Sequence, residues 1–172
     1  VLQVREDPLG TLRFMRQLIR IGHELRLEVV VEGLESPGLI EAATILGADF
    51  GQGFALARPM PLHAVQPWLA QHKYDGGRSV PRTALGALAG ELRWEEQFIA
   101  LPAEPAFWKR HAGESCDPGQ YLRGAERHIA LNSAHEAMHA AASAGPSDPA
   151  YHRQREAFLV LLAQRVLDEE CL

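Results

Sequence analysis

Two groups of residues in this sequence have the types and spacing that chemistry requires. The first is Glu32 and Glu35 in Val31-Glu32-Gly33-Leu34-Glu35, with Gln52 twenty positions after Glu32. They follow the run Val29-Val30-Val31, which places Glu32 at the C-terminal end of a strand. Barrels of alternating strands and helices keep their catalytic groups at such ends. Spacing alone is equally compatible with solvated loop residues beyond a strand. The second group is Cys116, His128, His135 and His139. His135 and His139 are one helical turn apart and His128 two turns before His135, so on one helix all three face the same way. A His-x-x-x-His pair grips one metal from one helix, and Cys116 with one more ligand would complete a tetrahedral zinc site. Core or surface histidines in an alanine-rich helix account for the same pattern.

Positioning the first group requires a helix, strand, helix, strand order. Leu12, Met15, Leu18, Ile19 and Leu25 recur at helical spacing over residues 8–27, with Phe14 and Ile21 off that face and Gly22 as a weak spot. The unalternating valines predict a strand buried on both faces of a parallel sheet. Ser36-Pro37-Gly38 breaks the chain, residues 39–46 read as a second helix stopped by Gly47, and 54–57 as a second strand ended by Arg58-Pro59-Met60-Pro61. Beyond Asp75-Gly76-Gly77 the valine and isoleucine clusters vanish. Helices are predicted over 83–99, 119–143 and 149–170, with a loop holding Pro102, Pro105 and Gly113 between the first two. Three long helices with short connections predict an antiparallel bundle. The aromatic residues Trp94, Phe98, Phe107, Trp108 and Tyr121 read as its core.

Composition sets the outer limits. Apolar residues make up 47% of the 172 and charged residues 23%, which requires a packed core. Residues 1–75 carry 7 basic and 9 acidic side chains and 76–172 carry 10 and 13, so neither part has the basic surplus of a nucleic-acid binder. No apolar run reaches the roughly 18 residues needed to cross a bilayer, and there is no signal-peptide pattern. Cys116 and Cys171 are too few for a disulfide framework and suit a reducing compartment, so a cytoplasmic location without membrane contact is expected. Val1 is not a methionine and residues 1–7 read like the middle of something, so a fragment of a longer protein is expected.

Three linked motifs carry a family resemblance. Val29-Val30-Val31-Glu32-Gly33-Leu34-Glu35, then Leu46-Gly47-Ala48-Asp49-Phe50-Gly51-Gln52-Gly53-Phe54, then Arg58-Pro59-Met60-Pro61 resemble, in order and spacing, the closing motifs of the EAL phosphodiesterases. The match covers roughly residues 5–72. The resemblance implies the later part of a β/α barrel in which magnesium or manganese activates the water that opens cyclic-di-GMP to linear pGpG. A hard cation takes oxygen ligands, lowers the pKa of its water and offsets charge on phosphate oxygens. It implies Glu32 as an acidic active-site residue near the metals, Glu35 as the next acid of that loop, Gln52 as a positioner of water or metal, and Arg58 with Pro59 as support for the substrate pocket. The Glu-Ala-Leu signature, further ligands and a lysine before the first helix would lie upstream of Val1. The piece alone is therefore expected to be inactive, whatever the parent does. Implied partners are cyclic-di-GMP, the rest of the barrel, upstream sensor or GGDEF-type domains, and a second copy in a homodimer. The competing reading is an inactive EAL-derived module that binds cyclic-di-GMP or another protein.

The helical part is faintly similar to the chemoreceptor zinc-binding domain. Glu91-Leu92-Arg93-Trp94 resembles that family's His-x-x-Trp with Glu91 in the histidine's place, Cys116-Asp117-Pro118-Gly119-Gln120-Tyr121-Leu122 its cysteine motif, and His135 to His139 its closing pair. The implied zinc ligands are Cys116, His135, His139 and Glu91, with His128 or His111 able to serve instead. The expected architecture is an α/β remnant, the end of an EAL-type β/α barrel over 1–75, followed by an all-α bundle over 76–172 that binds metal or acts as a sensor.

Overall fold

The computed structural model describes residues 4–72, 80–123 and 128–170. The elements run α1 (Pro8–Glu24), β1 (Val30–Glu32), α2 (Pro37–Leu46), β2 (Phe50–Gln52), α3 (Leu62–Gln71), α4 (Ala84–Ile99), α5 (Pro105–Gly113), α6 (Asp117–Leu122), α7 (Ile129–Ala142) and α8 (Pro149–Glu170). The chain is thus mostly helical, with one small sheet among the described residues. The domain boundary expected near Asp75 and the second cysteine, Cys171, lie outside the described residues.

Local chemistry starts the helices. Asp7 accepts from Gly10 N at 2.8 Å, Ser36 from Leu39 N at 3.2 Å and Thr83 from Gly86 N at 3.0 Å, each satisfying an amide that the helix cannot. Pro8, Pro37 and Pro105 occupy first-turn positions, where a missing N–H costs nothing. α2 stops at Gly47, whose φ of 93° lies in the left-handed region.

β1 and β2 are parallel and joined through α2, with Val30 opposite Phe50, Val31 opposite Gly51 and Glu32 opposite Gln52. Side chains alternate across a strand. Val31 packs on the core, whereas Val30 and Phe50 are 53% and 54% exposed, so the sheet is covered on one face only and not on both as the valine run predicts. Asp49 ties the sheet's entry to α1: its Oδ2 accepts from Val29 N and meets His23 Nε2, both at 2.8 Å. The Val29 N–H and then His23 hold this carboxyl below its usual range.

Several elements differ from the sequence pattern. The second strand lies at Phe50–Gln52 rather than 54–57, because the chain must turn at Gly53. A Cβ there would come within 2.2 Å of the Leu34 carbonyl oxygen, and Leu56 and Ala57 bond back to Gly53 O. Residues 105–113, predicted as loop, form α5. The helix predicted over 119–143 ends at Leu122, since Arg123 is extended, and resumes at Ile129. α3 forms despite Pro67 in its interior.

The two parts share one core. In α4 every residue from Ala84 to Leu92 is buried, and Leu85, Leu88 and Leu92 pack in the same cluster as Leu12, Met15 and Ile19 of α1 and Leu39, Ala42 and Ala43 of α2. Polar contacts follow the same seam. The Glu41 carboxylate accepts from Thr83 N at 3.0 Å, Thr83 Oγ1 at 2.8 Å and Arg82 N at 3.1 Å. Glu169 of α8 accepts from Ala84 N at 2.7 Å, and Arg16 donates to Leu92 O at 2.9 Å. The start of α4 is therefore held by carboxylates from α2 and from α8, as its positive end favours.

Candidate metal centre

α6 and α7 bring Cys116, His135 and His139 together. Cys116 is the N-cap of α6, fixed there because its Sγ accepts from Gly119 N at 3.3 Å and Pro118 starts the helix. His135 and His139 project from consecutive turns of α7. Sγ stands 3.0 Å from His135 Nε2 and 3.4 Å from His139 Nε2, and the three ligand atoms all lie within 4.8 Å of one another. Ligand atoms on a tetrahedral zinc are separated by about 3.5 Å, given bonds of roughly 2.3 Å to sulfur and 2.0 Å to nitrogen. The triangle therefore has the dimensions of three corners of such a site.

His139 is set up as a ligand by its surroundings. Its Nδ1 donates to the Ala112 carbonyl at 2.8 Å, which puts the proton on Nδ1 and leaves the Nε2 lone pair facing Cys116. Trp94 packs against the ring at 4.7 Å between centroids, and Phe158 lies 5.2 Å from the His135 ring. Burial is the main influence on all three groups. It lowers His135 to about 4, helped by His139, and lowers His139 too, so both are neutral at neutral pH. It pushes the Cys116 thiol up to about 11 against the opposing Gly119 N–H. Two neutral imidazoles and a thiol reluctant to ionise favour a soft divalent cation, which supplies the charge that makes thiolate stable. On the outer side the triangle opens to a cleft of about 550 Å³ bordered by Ser115, Arg123, Asn132 and Glu136.

The other candidate ligands are placed differently. His128 caps α7 and lies 5.7 Å from the Tyr121 ring, away from the triangle. The break after Leu122 takes it off the face shared by His135 and His139. His111 stacks on Trp94 at 4.8 Å and its Nε2 contacts Trp94 O at 3.3 Å, so Trp94 lies between His111 and His139. Glu91 is not part of the triangle but is fully buried on α4, with neither carboxylate oxygen hydrogen-bonded. Trp94 and Phe98 are core, as their spacing suggests. The Ala112 carbonyl, a backbone group without a side-chain signature, is the contributor that sequence reasoning misses.

The first group behaves as a surface. Glu32 and Gln52 face each other across the C-terminal ends of β1 and β2, on the same open face as Val30 and Phe50. Glu35, Arg58 and Pro59 are exposed, and the Arg58 guanidinium lies 5.5 Å from the Phe54 ring centroid. Among the described residues no third metal-ligating side chain joins Glu32 and Glu35. On their own they do not fit the hard-cation pair that the EAL resemblance implies. No family model, curated protein or solved structure matches the chain.

Proposed function

We propose that this chain is the C-terminal part of a bacterial cyclic-di-GMP signalling protein in which a zinc-binding helical unit is packed on the end of an EAL-type barrel. The observation that carries the zinc reading is the convergence of Cys116, His135 and His139, with His139 locked by Ala112 in the ligating tautomer. A sulfur and two imidazoles select zinc over magnesium or calcium, which take oxygen ligands. When bound, zinc supplies a fixed positive charge that holds Cys116 as thiolate and cross-links α6 to α7.

The barrel reading rests on the three linked motifs, and the sheet is consistent with it. Its open face presents Val30 and Phe50 and then, at the strand ends, Glu32 and Gln52. That is the order of a barrel interior, apolar below and polar at the C-terminal mouth. α1 carries a second apolar stripe, Phe14, Leu18, Ile21 and Leu25, with Phe14 63% exposed. At 3.6 residues per turn it is rotated about 120° from the buried stripe of Leu12, Met15 and Ile19. Further strands and helices of the parent barrel would cover both surfaces. In that parent, magnesium or manganese would take part in opening cyclic-di-GMP, with Glu32, Glu35 and Gln52 at the rim. Among the described residues Glu32 and Glu35 belong to no group of three metal-ligating side chains, so this chain alone is expected to leave cyclic-di-GMP intact.

The test is elemental analysis of the purified chain and of a Cys116→Ala, His135→Ala double variant. One zinc per chain, lost in the variant, is the expected result. Zinc absent from both after refolding with excess metal would refute the zinc unit. Turnover of cyclic-di-GMP by the isolated chain would refute the assignment of the missing ligands to the rest of the barrel.

A further inference from the structure

We propose that Cys116, His135 and His139 form a hydrolytic centre and not a closed structural one, with Glu136 as its general base and an N-acylated amino acid as its class of substrate. The inference rests on the zinc site proposed above and adds an activity to it.

The two histidines belong to His135-Glu136-Ala137-Met138-His139 on α7, so a glutamate directly follows the first ligand. On one helix, two histidines four apart hold one ion while the glutamate after the first serves the water that the ion binds. Five residues on an alanine-rich helix are a weak signal by themselves, and the fold supplies what they lack. A third ligand, Cys116, comes from α6, with its sulfur 3.0 Å from His135 Nε2 and 3.4 Å from His139 Nε2. Three protein ligands with a fourth position open is the arrangement of catalytic zinc, whereas structural zinc is closed by four. All three ligand residues line the cleft of about 550 Å³, and Glu136 lines it with them. Glu136 is exposed there, and among the described residues no hydrogen bond or ion pair ties up its carboxylate.

The rest of the cleft narrows the substrate. Arg123 is tethered at its rim, Nε donating to Gly119 O at 3.4 Å and Nη2 to Ser115 Oγ at 2.5 Å, and a guanidinium held in this way suits a carboxylate. Asn132 lies one turn before Glu136 on α7 and offers an amide donor to a carbonyl oxygen that gains charge. A cleft of this volume admits a small molecule. A phosphodiester would bring its own negative charge to Glu136, so a neutral acyl carbon is the better match. When bound, zinc lowers the pKa of water and draws charge from the carbonyl oxygen. Glu136 takes one proton from the attacking water, whose oxygen forms a bond to the acyl carbon. The carbon–nitrogen bond then breaks, and Glu136 passes the proton to the departing nitrogen. A carboxylic acid and a free amino acid result, with water the one other reactant.

Two measurements on the metal-loaded full chain test this. Acetohydroxamate chelates a metal that has a free position, so its titration into the cobalt-loaded chain should change the visible bands of the ion. Unchanged bands would overturn the proposal. Formyl- and acetyl-amino acids offered to the zinc-loaded chain should release free amine, read with fluorescamine. Glu136→Gln is an exposed change of nearly equal shape, and it should hold zinc and acetohydroxamate as the wild type does while amine release falls by about 100-fold or more, the loss expected of a general base. Arg123→Ala should raise KM with kcat little changed, as loss of uniform binding does, and an unchanged KM would overturn the carboxylate-bearing substrate. No amine release by the wild type, or equal release by Glu136→Gln, would overturn the activity and leave the zinc site standing as a structural one. Failure of the wild type to take up zinc or cobalt would instead remove the zinc reading itself.

Discussion

Replacing Glu91 by glutamine is expected to stabilise the metal-free protein at neutral and alkaline pH, although it changes a fully buried position. Burial, then the Glu95 charge, lifts the Glu91 carboxyl from 4.5 to about 8, with Arg155 opposing. The folded chain therefore binds this proton more tightly than the unfolded chain does. Its contribution to stability is fully present below pH about 4.5 and is lost as pH rises through about 8, at about 1.4 kcal/mol per pH unit in between. By pH 7.5 the accumulated loss is about 4 kcal/mol, a large share of the roughly 5–15 kcal/mol that holds a domain folded. Glutamine has nearly the same shape and no charge to bury, so its cost is independent of pH. Urea unfolding with a chelator at pH 5.5, 6.5 and 7.5 should show wild type and Glu91→Gln diverging in favour of the variant. Parallel stability curves for the two chelated proteins would refute the reasoning.

Two further outcomes follow from the same geometry. Metal binding at the triangle would displace the proton of Cys116 at neutral pH, while His135 is already neutral. Affinity should therefore fall on acidification from pH 7.5 to 6 by about tenfold per unit, as competition titrations with a chromophoric chelator would read. An affinity independent of pH would show that the Cys116 thiol keeps its proton when metal binds. Separately, Glu41→Ala removes the acceptor for two amides and a hydroxyl at the start of α4, and should cost about 2–3 kcal/mol in urea unfolding. An unchanged midpoint would mean that Glu169 suffices to cap α4.

The sequence was most legible where side-chain pattern and backbone chemistry agreed. The Leu12–Met15–Ile19 stripe and the Asp7-Pro8 start fix α1, and Cys116 with His135-x-x-x-His139 points to the three side chains that converge. It was least legible where a long-range contact decides. Gly51 and Gly53 are weak strand formers, yet β2 includes Gly51, where a Cβ would come within 2.6 Å of the end of the buried Leu34 side chain, and the chain turns at Gly53, where a Cβ would meet the Leu34 backbone. Pro105 reads as a breaker beside Pro102, whereas at the first turn it starts α5. His128 has the right spacing for the metal face on an unbroken helix, and loses it through the chain's exit at Arg123, which no periodicity announces. Glu91 reads as one acid among several along α4. Only its complete burial separates it from Glu95, which has Arg155, and from exposed Glu96.

α4 is the element through which the two halves of the chain would influence each other. Its first turn is capped by Glu41 of α2 and Glu169 of α8, its middle packs on α1 and α2, and its next turn carries Trp94 to the His139 ring. Close-packed interiors transmit displacement because they have few voids to absorb it. An ion that shifted His139 would therefore press through Trp94 on a helix whose other end holds α2, the crossover between β1 and β2. The carboxylate and amide at the ends of those strands, Glu32 and Gln52, are two short loops away from α2. Metal occupancy would thus bear on the strand ends through packing alone, without any contact between the two sites.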